Sequence, residues 1–253
     1  MCRMLIAVGK VQIGPLLDGI TQMALDQNST HELNKDVGRG NFKHPDGWGI
    51  AYMKDKEWVM YKSTQAIFED PKTSELRDIE TACVIIHVRQ GTKGEIVKEN
   101  THPFRFQSDE LGDFIFCHNG TIHREISHSD LFNPKGTTDS EQLFYSILTK
   151  TKKSSIKYAI IKTFEQFSDP FSSNIIFASK KKSFIHMRGT KYPTYLQMHM
   201  GKKRGLKIIS SEQFHHIKNM KWKALQNKDL IIINNKTGRC KIIKMRETVL
   251  TKH

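Results

Sequence analysis

The chain opens Met1-Cys2-Arg3-Met4-Leu5-Ile6-Ala7-Val8, a cysteine running straight into an apolar segment. Arg3–Val8 reads as a buried strand, so the amino-terminal end is committed to the interior and Cys2 stands where that strand begins. A small residue at position 2 lets the initiator Met be trimmed. The mature chain then carries a thiol and a free α-amine on one residue. The thiolate is a nucleophile, and an α-amine with an ordinary pKa of about 7.7–8.0 exchanges protons near neutral pH. The plainer alternative is a small residue that merely opens a buried strand.

The remaining pattern narrows the architecture. Apolar spacing predicts a helix over Pro15–Asp26, and a polar stretch over 28–46 reads as a loop. Strands are expected at Trp48–Met53, Glu57–Lys62, Thr81–Arg89 and Phe114–His118, and later at Asn174–Ala178, Ser183–Met187, Leu206–Ser210, Leu230–Ile233 and Lys241–Met245. Thr138 followed by Glu141 reads as a capping box that opens a helix, and a second helix is expected over 154–167. Strands in runs with helices paired between them indicate an α+β fold in layers rather than an alternating parallel one. No repeat, low-complexity linker or domain boundary interrupts residues 2–253, which are expected to form one domain.

Composition excludes several classes. No apolar run approaches the roughly 20 residues that span a bilayer, and Leu5–Val8 is too short for a signal-peptide core, so a cytoplasmic location is expected. Cysteines stand at 2, 83, 117 and 240 with no C-x-x-C pair, and Cys83 and Cys117 lie in apolar strands as buried thiols. Charge is uneven: residues 1–150 carry 17 Lys and Arg against 21 Asp and Glu, whereas residues 151–253 carry 23 against 5. Nucleic-acid motifs do not accompany these lysines, which read as a solvated basic face, with a nucleic-acid site as the remote alternative. Neither His199, the pair His123 and His128, nor His215-His216 (expected on opposite sides of a strand) shows metal-ligand spacing. No metal or cofactor is expected.

Polar segments follow several of the strands. Arg89, just past one strand, is a fork able to bind a carboxylate, although a surface salt bridge would also account for it. His118-Asn119-Gly120 ends another. Asn-Gly commonly makes a tight turn, but the Asn119 amide and the Gly120 N–H could instead point at one oxygen, as an oxyanion hole requires. Asp139 stands in the first turn of the helix capped by Thr138, where it suits the helix dipole and could equally receive an ammonium group. A thiol with its own amine, two oxyanion donors, an Arg and an Asp together fit the hydrolysis of a γ-glutamyl amide, of which glutamine is the simplest.

These elements resemble the class II glutamine amidotransferases of the N-terminal nucleophile hydrolase superfamily. The matching pieces occur in order: Cys2, Asp46-Gly47-Trp48-Gly49, His87-x-Arg89-x-Gly91-Thr92, Asn100-x-His102-Pro103-Phe104, His118-Asn119-Gly120 and Thr138-Asp139-Ser140-Glu141. The motifs cover residues 2–145, and the basic part 151–253 is expected to complete the domain. The resemblance implies a four-layer α/β/β/α sandwich, Cys2 as nucleophile with its α-amine as base, and Asn119 and Gly120 as the oxyanion hole. It also implies that Arg89 binds the substrate α-carboxylate with Thr92 and His102, and that Asp139 binds the α-amine. Gln90 and Lys93 depart from the Trp and His common in relatives with a synthetase domain. The chain looks most like stand-alone members. A γ-glutamyl amidohydrolase is the first reading, and a glutaminase that passes ammonia to a separate synthetase chain is the alternative.

Overall fold

A computed structural model describes residues 1–167, 172–189 and 191–244. The chain order is β1 (Arg3–Gln12), α1 (Ile13–Ala24), α2 (Glu32–Lys35), β2 (Trp48–Lys54), β3 (Glu57–Ser63), α3 (Lys72–Leu76), β4 (Glu80–Val88), β5 (Phe104–Ser108) and β6 (Gly112–Gly120). It continues through α4 (Asp139–Thr151), α5 (Ile156–Glu165), β7 (Ser173–Ser179), β8 (Lys182–Arg188), β9 (His199–Lys203), β10 (Leu206–Ser210), β11 (Lys221–Ala224), β12 (Asp229–Asn234) and β13 (Cys240–Lys244).

The strands form two antiparallel sheets, ordered β11-β9-β10-β1-β4-β2-β3 and β13-β12-β8-β7-β6-β5. Side-chain alternation builds the layers. On β1, Met4, Ile6 and Val8 face the second sheet and pack with Ile115, Cys117, Ile176 and Ile231. Leu5 and Ala7 point the other way, onto Leu16, Leu17 and Ile20 of α1. The outer face of the second sheet buries Phe116, Phe177 and Phe184 against Leu143, Phe144 and Ile147 of α4 and Ile160 of α5. Phe116 and Phe144 stack with ring centroids 5.1 Å apart. Each such fully buried side chain contributes about 1.5–3 kcal/mol, so a strand buried on both faces is the natural centre of the molecule. The expected α+β sandwich of four layers is the fold observed.

β1 runs to Gln12, well beyond Val8, by way of a bulge between Val8 and Val11. Gly9 sits there with φ +120°, and a Cβ on it would stand 2.0 Å from the Gly205 carbonyl oxygen, so a larger residue does not fit. Residues after 151 enter both sheets: β9–β11 in the first, and β7, β8, β12 and β13 in the second.

Several expectations need correction. Asn119-Gly120 is not a turn: both residues pair with β7, opposite Asn174 and Ser173. The capping box is half formed. Thr138 Oγ1 accepts the Glu141 N–H at 3.3 Å, but the Glu141 carboxylate turns to the N–H groups of Lys135 and Gly136. His215 and His216 lie in a turn rather than on a strand. The short α2 stands inside the stretch 28–46 that reads as a loop, α3, β5, β9 and β11 stand where no element was expected, and Met245 lies outside the described residues. The basic surface falls partly on the sheet edge, where Lys221 of β11 pairs opposite Lys202; lysines there discourage pairing with other chains. Among the described residues, no helix is long and apolar enough to cross a membrane, and no cluster of His, Cys, Asp or Glu is placed to hold a metal.

Candidate active site

The start of β1 and the ends of β4 and β6 converge. There Cys2, Arg89, Thr92, His102, Gly120 and Asp139 line one cleft. Asn119 lies beneath it, fully buried. The candidate nucleophile, oxyanion and substrate-binding residues are therefore at one place.

The Cys2 N–H donates to Asn119 Oδ1 at 2.8 Å. This contact fixes the amide: a backbone N–H can only donate, so the carbonyl end faces Cys2 and the –NH₂ end faces away. That Nδ2 is buried and has no partner. The Cys2 Sγ lies 3.8 Å from the Gln90 carbonyl oxygen, and the same oxygen accepts from the Met1 ammonium at 2.6 Å.

Arg89 follows β4 and is buried. Its Nη2 donates to the carbonyls of Lys93 and Gly94, both at 3.0 Å, which shapes the 91–94 loop around it. Its Nη1 is buried without a partner. Gly91 leaves room for the guanidinium, since a Cβ there would stand 3.0 Å from Nη2. Asp46 holds the same turn: its Oδ2 accepts the Gly91 N–H at 2.7 Å, while Arg89 N–H donates to the Gly47 carbonyl at 2.8 Å. A Cβ on Gly49 would meet the His102 carbonyl oxygen at 2.4 Å. The Asp46-Gly47-Trp48-Gly49 segment thus lets the floor and the loop of the cleft approach each other.

His102 packs its ring on His87 and Phe104, with centroids 4.2 and 4.5 Å away, and neither ring nitrogen has a protein partner. Burial holds its pKa well below the ordinary 6.5, so it is neutral. Thr92 is exposed, its hydroxyl 3.1 Å from that of Thr121. Asp139 opens α4 and accepts the Ile122 N–H at 2.5 Å. His118 is held at both ends, Nδ1 by Ser140 Oγ at 2.9 Å and Nε2 by Ser173 Oγ at 2.8 Å. Burial lowers its pKa to about 4 and that of His87 to about 3. Burial likewise pushes the Cys83 thiol up to about 12, which leaves it inert as a nucleophile.

Sequence reading missed the group behind Cys2. Arg3, 1% exposed, forms an ion pair with Glu212 at 2.7 Å and donates to the Tyr195 carbonyl at 2.6 Å. Its signal was an arginine inside an apolar strand, which demands a buried partner.

A family model for class-II glutamine amidotransferases matches residues 28–171, more than half of the chain. That range includes Arg89, His102, Asn119, Gly120 and Asp139; Cys2 lies before it. "Putative glutamine amidotransferase YafJ" of Escherichia coli K12 is 35% identical over 119 residues, 45% of each chain. The glutamine phosphoribosylpyrophosphate amidotransferase of B. subtilis shares the fold with a TM-score of 0.65 at 17% identity, over 96% of this chain and 49% of that one. A glutamine aminotransferase class-II domain protein of Silicibacter pomeroyi does so at TM-score 0.61 and 15% identity, over 97% of this chain and 100% of that one. The match to YafJ, like that to the B. subtilis enzyme, spans about half of that relative's length. On the extent of the family match, the chain belongs to the class-II glutamine amidotransferases.

Proposed function

We propose that the chain hydrolyses γ-glutamyl amides, glutamine foremost, through Cys2 after Met1 has been removed. The observation that carries this reading is Asn119: one end of its amide receives the Cys2 nitrogen at 2.8 Å, and the other is a buried donor without a partner. An unpaired buried donor costs about 1–3 kcal/mol, and an oxyanion forming beside Cys2 would offset that cost.

The thiol passes its proton to the free α-amine, and the thiolate attacks the γ-carbonyl carbon. The carbonyl π electrons move to oxygen, held by Asn119 Nδ2–H and the Gly120 N–H. Collapse expels the amide nitrogen, which takes the proton from the α-ammonium and leaves as ammonia or an amine. Water, deprotonated by the same amine, then attacks the thioester, and glutamate and the thiol are regenerated. Arg89, whose Nη1 is unpaired, takes the α-carboxylate with Thr92 and His102, and Asp139 takes the α-ammonium. Both sheets draw strands from beyond residue 151, which supports reading 2–253 as one catalytic unit. A second reading, delivery of ammonia to a separate synthetase chain, is favoured by the match covering only half of the longer amidotransferase.

The test is intact mass with and without diazo-oxo-norleucine, together with turnover of glutamine and γ-glutamyl peptides. Wild type should lack Met1 and take one adduct at Cys2. Cys2→Ala should lose turnover by about 10⁴-fold or more, on the scale of other deleted nucleophiles. Normal hydrolysis by Cys2→Ala would end the proposal. Slow glutaminase activity raised by an added synthetase would favour the second reading.

A further inference from the structure

Removing Met1 solves a chemical problem and creates a mechanical one. Cys2 becomes a terminal residue, joined to the fold only through its carbonyl, and β1 pairing with β4 starts one residue later, at Arg3 opposite Val88. Terminal residues fray unless they are tied down. Rotation about the Cys2 Cα–C bond would swing amine and thiol together, away from Asn119.

The structure holds the carbonyl as well as the nitrogen. The Tyr195 hydroxyl donates to the Cys2 carbonyl oxygen at 3.1 Å. It also stands 3.0 Å from His44 Nε2. A hydroxyl has one proton, and it goes to Cys2, so His44 supplies Nε2–H to the phenol oxygen. Burial lowers the His44 pKa and raises that of Tyr195, which keeps both in those roles.

Tyr195 is itself gripped. It is fully buried. The Arg3 guanidinium lies 3.7 Å over its ring, and Arg3 Nη1 donates to its carbonyl at 2.6 Å. The Glu32 carboxylate accepts the N–H groups of Thr194 and Tyr195 at 2.7 and 2.9 Å. Arg3 follows Cys2 in sequence, so the strand that carries the nucleophile also grips the residue that holds it. Glu32 and His44 come from the polar stretch 28–46, and Tyr195 from the segment 187–205. Neither has a place in the chemistry otherwise.

We propose that Tyr195 is a positioning residue for the nucleophile. Its hydroxyl fixes the Cys2 carbonyl, so that a freed α-amine stays on Asn119 and the thiol stays aimed into the cleft. This inference rests on the Cys2 reading given above. It assigns no contact with substrate to Tyr195.

Tyr195→Phe tests it, because the ring under Arg3 remains and only the hydroxyl is lost. Three readouts are needed: kcat and KM for glutamine, the rate of diazo-oxo-norleucine labelling at Cys2, and the rate of iodoacetamide labelling at Cys2. The last reports thiol access without γ-glutamyl recognition. Intact mass confirms that Met1 is absent from both proteins. Misplacing a reacting group by about 1 Å costs about 100-fold, and a loosened terminus should lose about 10-fold or more in kcat. Diazo-oxo-norleucine labelling should fall in parallel, while KM stays within about twofold and iodoacetamide labelling keeps its wild-type rate. Wild-type kcat in Tyr195→Phe would overturn the inference. So would a matching fall in both labelling rates together with a lowered Tm, which is the signature of a merely structural role. If wild-type Cys2 resists diazo-oxo-norleucine, the proposed function fails and this inference with it. If wild type is labelled and Tyr195→Phe is labelled equally fast, the positioning role alone fails.

Discussion

The cleft wall and the anchor behind it are both buried and polar, yet they are finished differently. On the wall, Asn119 Nδ2, Arg89 Nη1 and both ring nitrogens of His102 have no partner. At the anchor, Arg3 Nη1 and Nη2, the Tyr195 N–H, carbonyl and hydroxyl, and both Glu32 oxygens each meet one, which leaves Arg3 Nε and His44 Nδ1 without. Arg3 and Tyr195 are as buried as Arg89 and Asn119, so burial alone does not set the difference. Paired groups define a geometry, whereas unpaired ones hold binding capacity in reserve for something that arrives.

The anchor should therefore be the place where one deletion does most harm to the fold. Glu212→Ala leaves the Arg3 charge buried without its carboxylate, since the pair is 1% and 6% exposed. Breaking such a pair costs about 3–5 kcal/mol. Urea unfolding should show the loss as a lowered midpoint, with Glu212→Gln much milder because it keeps an acceptor. A loss under 1 kcal/mol in Glu212→Ala would erase the contrast between the two regions.

Asn119→Ala should do the reverse. It removes an orphaned donor, which costs stability nothing, and the acceptor for one part-buried N–H, so the unfolding free energy read from urea should fall by about 1 kcal/mol, well short of the Glu212→Ala loss. Catalysis should lose about 2.7–4 kcal/mol of transition-state stabilisation, a fall in kcat of about 100- to 1,000-fold. Steady-state glutaminase kinetics measure it. A variant that unfolds easily yet turns over normally would place Asn119 with the anchor instead of the wall.

The two regions were also unequally legible in the sequence. The wall could be read because its parts sit at strand ends within short motifs: Arg89 after β4, Asn119-Gly120 at the end of β6, Asp139 at the start of α4. The anchor could not, because its contacts join residues far apart in the chain. Tyr195 reaches Cys2 across 193 positions, and nothing local marks it. The same logic governs the fold. Apolar β10 was predicted with its observed bounds, while β9 (His-Met-Gly-Lys-Lys) and β11 (Lys-Trp-Lys-Ala) were not expected as strands. β11 is the edge strand and β9 lies next to it, and strands near a sheet edge face water, so their pattern lacks the apolar run that betrays a central strand. Asn119-Gly120 favours a turn by local preference, but pairing with β7 overrides it.

His118 offers the finest discrimination, because it stands on the wall beside Asn119 yet is paired at both nitrogens like an anchor residue. Its pKa falls from the ordinary 6.5 to about 4, with burial the main cause. The unfolded chain therefore takes up its proton first as pH drops. Its contribution to stability is complete above about pH 7 and drains at about 1.4 kcal/mol per pH unit between roughly 6 and 4, because unfolding then carries a net proton uptake. Urea midpoints at pH 7, 6 and 5 should fall progressively in wild type. His118→Gln should be less stable at pH 7, having lost the fit to Ser140 and Ser173, but its stability should fall less steeply with acid. The slope, rather than the absolute loss, reports the imidazole. An unchanged slope would mean that His118 already exchanges its proton in the folded state, as a group open to an unfilled cleft would. That result would assign it to the wall despite its two partners.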